Sequence, residues 1–183
     1  ALLIGGGMAF TFFKAQGLEI GDSLLEADKV DLAKAILDSA SGKKVRFLLP
    51  VDCVVSQVAD DSSPTQVVAI SEIKTGWRGL DIGPKTVGLF NSEIFKANTV
   101  VWNGPMGMFE INRFALGTNA IAQTLAEATK RGATTIVGGG DSAAAITKIG
   151  LEKAVSHVST GGGASLEFLE GKVLPVVAAL SEK

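Results

Sequence analysis

The sequence predicts an α/β fold, doubly wound about a mainly parallel sheet, in a single domain over residues 1–183. Two observations carry that expectation. Short apolar or β-branched runs alternate with segments of helical periodicity, the pattern of parallel strands joined by crossover helices. Glycine, 22 residues in all, gathers at the junctions in three triplets: Gly5-Gly6-Gly7, Gly138-Gly139-Gly140 and Gly161-Gly162-Gly163. Each triplet follows a strand-like run ("ALLI", "TTIV", "SHVST") and precedes a segment able to be helical ("MAFTFFKAQ", "DSAAAITKIG", "ASLEFLEGK").

The remaining elements keep the alternation. "EADKVDLAKAILDSA" sets Val30, Leu32, Ala33, Ile36 and Leu37 at helical spacing, and "KKVRFLLP" after it is a buried-strand run closed by Pro50. "TQVVAI" reads as a further strand. "DIGPKTVGLFNSEIFKAN" begins a helix with Pro84 near its first turn, where a missing N–H costs nothing. "NTVVWNGP" is a strand ending in a turn. "RFALGTNAIAQTLAEATKRG" is a long helix with a core-facing apolar stripe, stopped by Gly132. "LPVVAALSEK" closes the chain as a short helix, and no linker or low-complexity stretch divides it.

Composition narrows the function. With 46% hydrophobic residues, 183 residues bury one core and no more than one large domain. The 17 basic and 19 acidic residues are interspersed, which excludes the basic stripe of a nucleic-acid or membrane-surface binder. No apolar run approaches bilayer length. Cys53 is the one cysteine, so an internal disulfide is impossible and a reducing, cytoplasmic compartment fits. "ALLIGGG" opens without an initiator Met or a leader, as though the chain began inside a domain; the expectation is a segment of a longer protein.

In an open parallel sheet, ligands bind beyond the carboxyl ends of the strands. All three triplets and "WNGPMG" fall at such ends, where bare backbone N–H groups and helix N-termini form an anion site. One triplet alone is as readily a tight turn; four glycine corners on one edge point to a phosphate. No Walker-type loop is present: Gly42-Lys43 and Gly171-Lys172 lack both the glycine five residues earlier and a following Ser or Thr. Gly138, Gly140 and Ala143 satisfy the relaxed dinucleotide fingerprint, but the next strand ends at Ser159-Thr160 without the acid that would hold a ribose. A dinucleotide-binding domain is the weaker alternative.

Asp141, directly after the second triplet, discriminates further. A carboxylate touching a phosphate costs several kcal/mol even at an effective dielectric of about 20. A divalent cation between them removes the conflict, and Mg²⁺ is commonly held by one or two carboxylates plus phosphate oxygens. The bland role for Asp141 is a helix N-cap or first-turn acid.

Five motifs in order, "LLIGGGMAFTF", "LDIGPKT", "WNGPMGMFE", "GGGDSAAA" and "HVSTGGGASLEFLEGKVLP", resemble the C-terminal, nucleotide-binding half of the phosphoglycerate kinases from the first residue to the last. The resemblance implies a Rossmann-like domain lacking the family's first strand–helix unit. It also implies reversible phosphoryl transfer between 1,3-bisphosphoglycerate and ADP, giving 3-phosphoglycerate and ATP in glycolysis, by a monomer. Carried over residue by residue, Gly6, Gly7, Leu24, Gly79, Leu80, Pro105 and Met108 would wall the adenine slot. Glu110 would accept from the ribose hydroxyls, and Asn103 would lie beside the sugar and phosphates. Asp141 would hold Mg²⁺ through the phosphates of ATP or ADP, with Gly139, Gly140 and Ser142 at the helix start. Gly161, Gly162 and Gly163 would cradle the phosphoryl group in flight, and Ser159 and Thr160 would lie at the bend between the two halves. Arg78, in "GWRG", stands where the family usually has an apolar residue; Met108 replaces a commoner valine and Val176 a usual glycine. The substrate half and the family's glycine–lysine motif are not in this sequence. In isolation the segment could equally serve as a non-catalytic nucleotide-binding module.

The other polar and aromatic residues read as structural. His157 is expected to be buried or at the hinge, and Cys53 in the core. Asp52 is expected in a turn, with Trp77 and Trp102 packing at glycine corners. Lys14, Lys85 and Lys148 are expected to be solvated.

Overall fold

The computed structural model describes residues 1–179, apart from the side chain of Val176. The expectation about Val176, and residues 180–183 of the closing helix, lie outside the described residues. The chain runs β1 (Leu2–Leu3), α1 (Met8–Ala15), α2 (Val30–Gly42), β2 (Phe47–Leu48), β3 (Asp52–Ser56), β4 (Thr65–Ala69), β5 (Arg78–Ile82) and α3 (Pro84–Ile94). It continues through β6 (Thr99–Asn103), α4 (Leu116–Lys130), β7 (Thr134–Gly138), α5 (Gly140–Lys148), β8 (His157–Ser159), α6 (Gly162–Leu169) and α7 (Pro175–Ala178).

The α/β reading holds, with a mainly parallel pairing. β1 pairs with β2 in parallel, and β6, β7 and β8 form a parallel sheet in that order. The part that is not parallel is separate: β4, β3 and β5 make an antiparallel sheet with β3 in the centre. The reason lies between "DCVVS" and "TQVVA", where no helix is present to make a crossover; the eight-residue stretch from β3 to β4 returns the chain as a hairpin-like connection.

Two clusters form the core. Ile82, Phe90, Trp102, Leu125, Val137 and Ile146 pack α3, α4 and α5 onto the parallel strands. Phe10 and Phe13 of α1 pack against Cys53 and Val55 of β3. The apolar stripe expected of α2 is only partly used: Ala33 is buried, whereas Leu32 and Ile36 are exposed.

Two buried aspartates join the layers. Asp52 is not in a turn but opens β3, and its carboxylate accepts the N–H groups of Lys85 (3.0 Å) and Thr86 (2.8 Å) in the first turn of α3. Asp81 of β5 does the same for α4, accepting from Gly117 at 2.7 Å. Each supplies an acceptor for helix N–H groups that have no partner within the helix, from a distant strand rather than from the preceding residue. Neither Gly83 nor Ala115, the residues before these helices, makes a side-chain cap.

Candidate nucleotide site

The glycine corners follow β1, β7 and β8, and the "WNGPMG" turn follows β6, so all four stand at strand carboxyl ends. Contacts link them in a chain. A Cβ at Gly6, which has φ +62°, would lie 2.6 Å from the Pro105 carbonyl oxygen. A Cβ at Gly139 would lie 2.6 Å from Asn103 Oδ1, and one at Gly162 would lie 2.6 Å from Gly139 Cα. Glycine is therefore required at these points by close approach between loops, not by turns alone.

A cleft of about 1280 Å³ opens between the β1 corner and the β6 turn. Gly6, Gly7, Leu24, Gly79, Leu80, Asn103, Pro105 and Met108 all line it, so the whole expected base slot and Asn103 come together. Leu24 and Met108 are exposed on its walls, at 67% and 39%, and Leu24 packs against Gly7. A smaller concavity of about 540 Å³, lined by Gln66, Lys74 and Trp77 among others, contains none of the expected residues.

Glu110, Gly139, Gly140, Asp141, Ser142 and Gly161–Gly163 are not on the wall of the large cleft. They adjoin it through Asn103 and the turn after β6. Ser142 is fully buried, and its hydroxyl accepts the Gly104 N–H at 2.6 Å, so its side chain holds the turn from within. What it can offer a ligand is its backbone N–H, one of the unpartnered donors of the first turn of α5. Asp141 lies exposed in that turn and makes no hydrogen bond among the described residues; the helix has no side-chain cap. Glu110 is exposed, at the end of the turn.

Lys148 is exposed, as expected, but it also carries a structural contact. From the last turn of α5 its Nζ donates to the carbonyls of Phe109 (2.9 Å) and Glu110 (3.2 Å), fastening the segment that presents Glu110. The sequence carries no local signal for this contact, which spans 38 residues. His157 is exposed, which removes the buried alternative; it starts the edge strand β8, two residues before Ser159. Lys14 pairs with Glu19 at 3.1 Å. Trp102 is buried in the core, while Cys53 is buried with its thiol pushed up to about 12, by desolvation first and by Asp52 second. Such a thiol stays protonated and is no nucleophile.

Among the described residues no cluster of three or more His, Cys, Asp or Glu side chains could hold a metal ion by itself, and no helix is long and apolar enough to cross a membrane. The acidic residues bearing on the cleft belong to other duties or stand alone.

Comparison with known proteins agrees with this geometry. The family model described as phosphoglycerate kinase matches residues 1–172. The chain is 59% identical over 180 residues to the phosphoglycerate kinase of Chloroherpeton thalassium, covering 98% of this chain and 45% of that protein. With the phosphoglycerate kinase of Chlorobaculum tepidum it is 59% identical over 181 residues, covering 99% and 46%. Among solved structures, phosphoglycerate kinase from Coxiella burnetii superposes with a TM-score of 0.91 at 44% identity, over 97% of this chain and 45% of that one. The enzyme from Pyrococcus horikoshii gives 0.79 at 33% identity, over 97% and 44%. The chain spans a little under half the length of these relatives. By fold, by the order of its glycine corners and by sequence, it belongs to the phosphoglycerate kinase family.

Proposed function

We propose that this chain is the C-terminal, nucleotide-binding half of a phosphoglycerate kinase, and that it carries the Mg-ATP/ADP site. The intact enzyme then transfers a phosphoryl group reversibly between 1,3-bisphosphoglycerate and ADP, the phosphoglycerate being held by the N-terminal half. The observation that carries the reading is the contact chain Gly6–Pro105 and Asn103–Gly139–Gly162, which brings four glycine corners to one cleft. The share of each relative that is matched supports the half. So do β1 and β6: each borders the cleft on an edge that pairs with no strand among the described residues, the edges a further strand–helix unit would cover.

In this reading the base enters between Leu24, Gly79, Leu80 and Met108, and Glu110 accepts from the ribose hydroxyls. The phosphates run toward the first turns of α5 and α6, whose N–H groups and dipoles favour anions. The residues fit a cation that arrives with the nucleotide: Asp141 is a single exposed carboxylate with no partner among the described residues, and it would hold Mg²⁺ together with phosphate oxygens and water. The metal would neutralise charge on the transferring phosphoryl group. Gly161–Gly163 leave backbone alone against that group, and the protein's share of catalysis is alignment and charge stabilisation rather than proton removal.

Mg-ATP or Mg-ADP, but not NAD, should raise the melting temperature of the purified chain. The chain alone should turn over essentially nothing, because no acceptor is aligned. Stabilisation by NAD would favour the dinucleotide alternative, and binding without turnover in the full-length protein would leave a non-catalytic module.

A further inference from the structure

Arg78 is the feature the expected chemistry leaves unused. It opens β5 next to Gly79 and Leu80, and all three line the cleft. The residue is half-buried, and its Nε is shut off from solvent with no hydrogen-bond partner. None of the ion pairs among the described residues involves it. The acids that line the cleft are engaged elsewhere: Asp22 accepts the Gly76 N–H at 3.2 Å, Asp81 accepts from Gly117, and Glu93 pairs with Arg46 and Lys96. An unpartnered guanidinium is costly in the free protein, and the side chain that carries it lines the cleft, where a ligand can bring acceptors to its other donors.

We propose that Arg78 reads the base: it makes this slot take 6-oxopurine nucleoside diphosphates, with guanine or hypoxanthine, at least as tightly as ADP. The inference rests on the nucleotide reading above and deepens it. A guanidinium holds its donors in one plane, and the two Nη groups present parallel N–H bonds as a fork that fits two neighbouring acceptors. Guanine and hypoxanthine carry such a pair in O6 and N7. Adenine has no adjacent pair of acceptors; beside N7 it carries the N6 amino group, a donor that meets the fork donor to donor.

The position favours the base over the phosphates. Arg78 shares the wall with Leu24, Leu80 and Met108, whereas the corners expected to hold phosphates, Gly139–Gly140 and Gly161–Gly163, are not on that wall. The other walls of the slot are aliphatic or backbone and grip any purine face alike. Arg78 is thus the side chain able to tell one purine edge from another.

The test is calorimetric titration of the purified protein with ADP, GDP, IDP and 7-deaza-GDP in the presence of Mg²⁺. Wild type, Arg78→Met and Arg78→Lys are compared, with a thermal melt to check folding. Wild type should bind GDP and IDP at least as tightly as ADP. Arg78→Met should weaken GDP and IDP by about tenfold or more, the discrimination of a good bidentate pair, and leave ADP within about twofold. Arg78→Lys, a point charge without the fork, should behave like the Met variant. On wild type, 7-deaza-GDP, which lacks N7, should lose most of the advantage of GDP. Equal weakening of ADP and GDP by Arg78→Met would place the guanidinium on sugar or phosphate and overturn the proposal, as would a wild-type preference for ADP. Absence of binding by every nucleotide to a folded wild type would sink the nucleotide reading itself, an outcome distinct from either of these.

Discussion

The Gly104 N–H donates to the Ser142 hydroxyl at 2.6 Å, tying the turn after β6 to the first turn of α5. The serine is fully buried, so its loss cannot be repaired by water. Ser142→Ala should leave the Gly104 donor unpaired and cost about 1–3 kcal/mol of stability. Nucleotide affinity should fall as well, because Asn103 sits on the released turn. Denaturant titration and calorimetry check both; an unchanged affinity would detach Ser142 from the site.

Asp141→Asn separates a metal role from a merely local one. With no capping bond to lose, folding should hardly change. Affinity for metal-free ATP should hold or improve as a repulsive charge disappears, and the Mg²⁺-dependent gain should vanish. In the full-length enzyme, activity should fall about 10²-fold or more through lost charge stabilisation. Titrations with and without Mg²⁺ decide it: unchanged metal dependence in the variant would refute the assignment.

Gly162 and Gly163 should respond differently to alanine. A Cβ at Gly162 meets backbone, Gly139 Cα at 2.6 Å, which cannot move aside cheaply; a Cβ at Gly163 meets nothing within 4 Å. Gly162→Ala should lower the melting temperature and affinity together. Gly163→Ala should fold as wild type, so any loss of turnover it causes in the full-length enzyme reports contact with the phosphoryl group.

How much of this could be read beforehand follows from where each signal lies in the chain. The corners were legible because Gly5–Gly7, Gly138–Gly140 and Gly161–Gly163 sit between a strand-like run and a helical one, all within about ten residues. The helix caps were not: Asp52 serves α3 from 34 residues away, and Asp81 serves α4 across 36. Capping rules look for a polar residue just before the helix, and here a strand supplies it. Of β3, β4 and β5 the sequence marks only β4, in "TQVVAI"; β3 and β5 are five-residue runs near a proline and a glycine, and a short run does not fix the direction of its partner either. Arg78 stood out in the sequence only as an odd residue; its unpartnered Nε needed three dimensions.

Asp81 gives stability a pH dependence. Burial is the largest cause lifting its carboxyl from an ordinary 3.8 to about 7, opposed by the N–H groups of Gly117, Ile82 and Leu116. A group whose pKa is raised on folding favours the native state most below its unfolded value. That contribution is then lost as pH rises from about 4 to about 7, and is flat beyond. Three pKa units correspond to roughly 4 kcal/mol. Asp81→Asn should remove this slope, so the stability difference between the proteins shifts toward the variant as pH rises. Denaturant titrations at pH 4.5, 6 and 8 check it; parallel curves would contradict the buried, proton-linked carboxyl.

Glu110→Ala should weaken nucleotide binding by about tenfold, the scale of hydrogen bonds to a charged acceptor, and change turnover at saturating nucleotide much less. Lys148→Met, which frees the carbonyls of Phe109 and Glu110, should move affinity in the same direction by a smaller factor. An unchanged dissociation constant in Glu110→Ala would remove the carboxylate from the sugar.

Because Ser142 grips the turn at Gly104 and Lys148 grips it again at Phe109 and Glu110, α5 acts as a gauge block laid along the loop. The two grips are separated by six helical residues, roughly 9 Å at a rise of about 1.5 Å each. In the proposed site that length would set the spacing between the sugar end and the phosphate end of the nucleotide. One residue added to α5 would advance the second grip by about 1.5 Å and rotate it by roughly 100°, so that both could no longer be satisfied at once. The helix is therefore not interchangeable with a longer or shorter one.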